Sequence, residues 1–442
     1  MRNMMTAVAF GLFLAAPGPA FAATREQDRA EIEELKRQIA ILPELLARIE
    51  QLEKSNAALQ AQAPPTVAAL ESRVAAVEKS DDRQSDQLAQ GLASNNAMDW
   101  ARNIKWKGDI RYRHEQFNVE GESSDRVRQR IRARLAMDAR ISNTLTAGFQ
   151  IATGDRTDPR STNVTLDDGN QRKEISLDLA YVDWRPRDGM QFTVGKQKQP
   201  WIKAGYSFLY DSDVNPEGIS FQYGGNTGPF AKAWGFWLNE RSSAADGNVI
   251  GAQLGYAFRG GLTLAAGYWD YGAMQDRPIL AFNGSPAGNS SYTADASCTP
   301  SPTGAVRCYT YDYNIAAADL QWSGRVGAIP LLLFGSYMEN MDPGDLNVAY
   351  NLGFLLGKAA DPHTWEFGAL YGDVERDAQF AAFVDSDFAD GLTQGRGYAI
   401  QGAWAPIGNM TMKATYFIND RNYGTPTEVD YRRLQLDVNY RF

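Results

Sequence analysis

The sequence predicts an all-β transmembrane antiparallel barrel of about sixteen strands, preceded by an N-terminal α-helical coiled-coil segment. Three observations carry this. Between Arg126 and Arg134 every even position is arginine, while Val127, Gln129, Ile131 and Ala133 fill the odd ones. Beyond Trp100, short alternating segments are separated by connections that are long and short in turn. The chain ends Leu434-Gln-Leu436-Asp-Val438-Asn-Tyr440-Arg-Phe442, alternating to its final aromatic. A period of two is the strand period, with successive side chains on opposite faces. A soluble core cannot hold a face of bare arginines, because buried unpaired charge is too costly. A wet interior with lipid on the far side suits both faces. A sandwich strand with one solvated face shares the local pattern, so the rest of the chain decides.

Residues 1–22 read as a secretory signal. Arg2 is their only charge, an apolar run spans Met4 to Ala16, and Ala20-Phe21-Ala22 has the small-x-small form of a cleavage site. No later run approaches the length of a membrane helix. The formal net charge of −9 argues against nucleic acid as a partner.

Residues 23–95 read as a periplasmic coiled-coil stalk. Ile32, Leu35, Ile39 and Leu42, then Leu45, Ile49, Leu52, Asn56 and Leu59, follow the alternating threes and fours of heptad core positions. Pro43 interrupts the two runs and Pro64-Pro65 ends the second. Val67, Leu70, Val74 and Val77 resume the pattern. A single amphipathic helix lying on the barrel is the alternative, but a narrow apolar seam suits self-association better than broad docking.

Residues 96–442 read as the barrel. The expected strands are 104–116, 126–141, 144–153, 173–184, 190–198, 218–223, 230–239, 249–258, 262–271, 309–322, 329–339, 347–359, 364–373, 397–406, 410–420 and 431–442. An even count places both ends of the barrel on the short-turn rim, where a periplasmic stalk belongs. Trp106, Tyr112, Tyr181, Trp184, Trp234, Trp237, Tyr268 and Trp269 are among the aromatics expected in the two interfacial belts. Closure follows from the cost of an unpaired sheet edge in lipid.

The first strand repeats the charged parity, with Lys105, Lys107, Asp109, Arg111, Arg113 and Glu115 on one face. Joined to Arg126, Arg128, Arg130, Arg132, Arg134 and Arg140 of its hairpin partner, it forms a basic wall. Arginine stays charged at any relevant pH and keeps several donors for anions.

The segment from Trp100 to Glu115, together with Ala180-Tyr181-Val-Asp183-Trp184 and Val194-Gly195-Lys196-Gln197, resembles the proteobacterial "putative porin" family. The resemblance implies a sixteen-stranded barrel in the Gram-negative outer membrane and passive diffusion of small hydrophilic solutes or ions. It also implies a homotrimer surrounded by outer-membrane lipid. Leu434 to Phe442 resembles the C-terminal strand of bacterial outer-membrane barrels, which implies that Phe442 helps the barrel assembly machinery to recognise the strand. In trimeric porins the third loop commonly narrows the lumen, so 199–217 is the expected constriction, with Asp211, Asp213 and Glu217 facing the arginine wall. The basic ladder tilts ion preference weakly towards anions. A membrane anchor serving the stalk is the alternative function.

No cofactor is expected. Asp211-x-Asp213-x-Asn215 begins like a calcium loop, but Pro216 stands at the glycine position and Gln222 at the twelfth. Cys298 and Cys308 are expected to form one disulfide in the longest loop. The only histidines are His114, on the outward parity of its strand, and His363, in a tight turn, so no nucleophile–base pair is expected and the chain is read as no enzyme.

Overall fold

The computed structural model describes residues 47–55, 103–242, 244–279, 281–295, 297–298 and 306–442. The chain divides into two units, Met1–Asn96 and Ala97–Phe442. In the first, residues 47–55 are helical, with Ile49 and Leu52 exposed and Lys54 paired to Glu50 one turn away at 3.0 Å. The signal segment and the remaining heptad positions lie outside the described residues.

The second unit is a closed antiparallel barrel of sixteen strands. In chain order these are β1 Ile104–Val119, β2 Arg126–Arg140, β3 Leu145–Thr153, β4 Ile175–Trp184, β5 Met190–Lys196 and β6 Glu217–Tyr223. There follow β7 Gly228–Asn239, β8 Gly247–Ala257, β9 Leu262–Gly272, β10 Tyr313–Val326 and β11 Ile329–Asn340. The last five are β12 Val348–Gly357, β13 Trp365–Val374, β14 Gly395–Trp404, β15 Met410–Arg421 and β16 Val429–Arg441. Each strand pairs with its neighbours, and β1 closes the ring by pairing with both β2 and β16, from Asp109↔Arg441 to Val119↔Tyr431. Longer and shorter connections alternate around the ring, except that 341–347 and 358–364 are equal in length. Most boundaries move by one to three residues from expectation, and β10 moves furthest: it begins at Tyr313 and runs on to Val326, where Gly327 at φ +58° makes a tight turn into β11.

The wall alternates as the sequence requires. On β8, Val249 and Gln253 are buried while Ile250 and Leu254 are exposed. Around the ring the inner face is not uniform. On β1, β2 and β16 it is charged; from β7 to β13 it carries Trp234, Phe236, Trp269, Tyr271, Ile315, Phe334, Met338 and Leu370, all buried. Trp234 and Trp269 therefore depart from the expected belts. Their rings lie 5.0 and 5.8 Å from that of Trp201, inside the barrel. Tyr181 also turns inward, its hydroxyl donating to Asp138 at 3.3 Å. Trp106, Tyr112, Trp184, Trp237 and Tyr268 remain exposed on the outer face.

Two connections explain the apolar inner face. Residues 197–216 and 375–394 both fold inside, where Phe208, Leu209, Phe380, Phe383 and Phe388 join one buried cluster with the wall. Phe208 stacks on Phe388 at 4.0 Å. Backbone polar groups of the first loop are met by wall amides: Ile202 N–H donates to the buried Gln253 at 2.8 Å and Gly205 N–H to the half-buried Gln321 at 3.1 Å. Such pairing is what allows a loop to be buried at all.

Candidate functional site

The charged side of the interior is built by β1, β2 and β16, where the strand period places one parity of each inward. Its ion pairs form two balanced groups. In the first, Arg113 Nε meets Asp437 at 2.6 Å and Arg128 Nε meets Glu115 at 2.7 Å. Arg433 pairs with Glu115, and its guanidinium also reaches Asp387 at 2.8 Å. Arg113 Nη1 reaches Asp387 at 2.9 Å. Three arginines thus face three carboxylates. In the second, Arg132 and Arg134 both hold Asp109 at 2.7 Å, and Arg134 reaches Asp213 at 3.3 Å, two against two.

The inward loops supply one acid to each group. Sequence reasoning placed three acids of 199–217 against this wall, and the structure brings only Asp213 there. Asp211 instead joins the two loops, accepting from Asp213 N–H and Ser386 N–H, each at 2.8 Å. Glu217 opens β6 on the outer parity and pairs with Lys196 at 2.8 Å. The acid that the sequence reading misses is Asp387, on the 375–394 connection. The run Phe380-Ala-Ala-Phe383-Val384 was its signal, since a solvated loop has no need of it.

Burial acts on Asp211, Asp213, Asp385 and Asp387, and their neighbours decide the outcome. Burial and the adjacent charges of Asp385 and Asp213 hold Asp211 well above the ordinary carboxylate range. Burial and the charge of Asp387 push Asp385 to about 6, against hydrogen bonds from Phe388 and Asp387 N–H groups and the Tyr206 hydroxyl. For Asp213, burial is outweighed by Arg132, Arg134 and Arg111, and its carboxyl stays below the ordinary range. For Asp387, burial is outweighed by Arg433, Arg113 and Arg111, and the carboxyl falls well below it.

The remaining ladder residues lie as follows. Lys107 pairs with Asp138 at 2.7 Å, and Lys105 is exposed near the chain's entry into β1. Arg126 is exposed and lies over the Phe117 ring at 5.7 Å, while Arg140 donates to Asn103 at 2.8 Å. Arg111 and Arg130 both turn to Asn163. A cavity of about 380 Å³ runs beside the wall, lined by Lys107, Asp109, Arg134, Asp138, Tyr181 and Lys198 among others. Opposed fixed charges around such a space set up a field across it, which favours polar over apolar solutes.

The other candidates fall elsewhere. Cys298 and Cys308 are joined, with Cα atoms 6.2 Å apart, in the connection between β9 and β10. His114 contacts Gln129 at 2.7 Å on the outer parity, and His363 N–H donates to Ala405 in a turn. Asp211, Asp213 and Asn215 face Ser386, Arg134 and Asp178 respectively, so they do not converge on a common point.

No curated protein matches the chain by sequence. Among solved structures, a high-pH structure of Pseudomonas putida OprB matches with a TM-score of 0.51 at 11% identity, covering 77% of this chain and 95% of that one. Salmonella typhi OmpF in complex with daunomycin matches with a TM-score of 0.47 at 11% identity, covering 77% and 97%. At such identity the OprB likeness bears on fold alone, and it agrees with the sixteen-stranded ring. A family model described as "Putative porin" matches residues 118–295 and 307–442. Barrel, inward loops and charged inner wall accompany a match over most of the sequence: the chain belongs to the "Putative porin" family of outer-membrane channels.

Proposed function

We propose that the chain is a diffusion porin, passing small hydrophilic solutes and ions along the charged side of its barrel with a weak preference for anions. The observation that carries this reading is the division of the interior. Apolar packing of two loops fills the side from β7 to β13, while fixed charges and a cavity line the side of β1 and β2. The pore-lining set is Lys105, Lys107, Arg111, Arg113, Arg126, Arg128, Arg130, Arg132, Arg134 and Arg140. Asp213 and Asp387 are the opposing acids. A ladder richer in arginine than its acids can balance favours anions. The chain carries out no covalent chemistry in this account.

The same reading places the N-terminal residues 23–95 in the periplasm as a clamp between three copies of the chain. It assigns Phe442 to recognition by the assembly machinery. The heptad positions support self-association, and the family resemblance supports three copies. Crosslinking the intact protein and a chain lacking residues 24–95 tests the clamp: equal trimer in both would remove that role.

Channel function is tested by adding the detergent-purified chain to a planar lipid bilayer. Stepwise, ohmic current increments are the expected result. A folded, inserted barrel that carries no current would overturn the reading in favour of a membrane anchor.

A further inference from the structure

Five arginines of the inner wall are balanced, carboxylate for guanidinium, by Asp109, Glu115, Asp213, Asp387 and Asp437. Two partly buried arginines of the ladder stand outside this balance. Arg111 and Arg130 have no carboxylate within 4.0 Å among the described residues. They converge on one neutral residue. Arg111 donates through Nε and Nη2 to Asn163 Oδ1, at 3.2 and 2.6 Å. Arg130 donates through Nη2 to the Asn163 carbonyl at 2.9 Å and to Ser161 Oγ at 3.4 Å, while its Nε is buried without a partner.

The two come from neighbouring strands. Arg111 pairs in register with Arg132, and Arg130 with Arg113, so Arg111 and Arg130 are diagonal neighbours on one face. Asn163 is held against them because Val164–Thr165 adds a two-residue strand to β2, at Ile131 and Arg130. On β1, Arg111 stands between Asp109 of one balanced group and Arg113 of the other, on the same face.

Resting on the porin reading, we infer that Arg111 and Arg130, bridged by Asn163, form an oxyanion-binding point on the passage, taking the carboxylate or phosphate group of a small solute. Two surplus guanidiniums meeting only amide and hydroxyl oxygens are poorly compensated, and a charged acceptor makes a shorter, stronger bond to each than an amide does. The planar donor fork fits the two oxygens of a carboxylate or phosphate side by side. Occupancy must be brief, since a passage that holds its solute tightly does not conduct.

The test uses the full chain in a planar bilayer carrying chloride current, with succinate or inorganic phosphate added as the probe. The inference expects a saturable fall in current with at least one of them, and which one acts assigns the headgroup class. Asn163→Asp places a carboxylate on Arg111, whose Nε and Nη2 already bond that side chain, and should occupy the point from within, weakening the block about tenfold or more while channels still open. Arg111→Lys and Arg130→Lys keep the charge and the fold but remove the fork, and should weaken the block several-fold. A conducting wild-type channel that neither probe blocks would overturn the inference, as would a block unchanged in Asn163→Asp. A folded chain that carries no current at all would overturn the porin reading itself, and this inference with it.

Discussion

The carboxylate of Asp387 accepts a hydrogen bond from Arg113 Nη1 at 2.9 Å, across 274 residues of chain. The contact ties the last inward loop to the first strand of the barrel. Asp387 also reaches Arg433 on β16, so it bridges the two strands whose pairing closes the ring. Replacing it with Asn leaves two guanidiniums short of one carboxylate. Removing one partner from a buried pair costs about 3 kcal/mol. Asp387→Asn is expected to loosen the 375–394 loop, raise single-channel conductance and shift the reversal potential further towards anions. Unchanged conductance and selectivity would mean that the loop does not border the passage.

The junction of the two loops rests on apolar contact. Phe208 and Phe388 are fully buried and stacked. Phe208→Ala removes a ring from a packed site, at a cost of about 3–5 kcal/mol if the site does not collapse. The wall strands retain their hydrogen bonds, so the barrel should still resist heating in detergent. Limited proteolysis should cut within 197–216 or 375–394 much faster than in wild type. Equal cutting rates would show that the stack does not hold the loops.

The same junction should respond to pH in a definite direction. Asp385 sits at about 6 and Asp211 well above 3.8, both raised chiefly by burial. Folded loops therefore bind these protons more tightly than free ones do, and docking is weakened as pH rises through 6. Asp213 and Asp387 are depressed below 3.8, so their contribution is present above that value and is lost only as pH falls through their lower values. Docking should thus strengthen between about pH 7.5 and about pH 5. Hydrogen exchange at amides of 206–211 and 383–388, corrected for intrinsic rates, should be slower at the lower pH; faster exchange there would contradict the assignment.

The Cys298–Cys308 bridge, its two cysteines buried, closes a small ring within the connection between β9 and β10. In the chain-entropy model such a ring contributes about 2–3 kcal/mol. Cys298→Ser/Cys308→Ser should loosen that connection while leaving conductance and the arginine wall unchanged. Alkylation of the unreduced protein should add no mass at either cysteine, and labelling without reduction would exclude the bridge.

Much of the barrel was legible because the strand period is a local signal. Alternation from Arg126 to Arg140, and again from Leu434 to Phe442, names both faces of a strand without knowledge of its neighbours. The inner face of β7 was not legible in this way. Trp234, Phe236 and Trp237 are apolar on both parities, so nothing local distinguishes a side chain in lipid from one under an inward loop. Within the site, the ladder was visible and its balance was not. Arg113 meets Asp437 across 324 residues and Asp387 across 274, distances over which spacing carries no information. Asp211 and Asp213 share a loop two residues apart, and only the fold shows that one binds the other loop and the other binds the wall.

The central claim is that water and ions cross the barrel beside β1 and β2. Its most direct measurement is the single-channel current of the purified chain in a salt gradient, compared with the Asp387→Asn chain. The account predicts discrete open steps in wild type, a reversal potential on the chloride side of zero, and larger steps in the variant. Inserted, heat-resistant barrels that stay silent in both would contradict it.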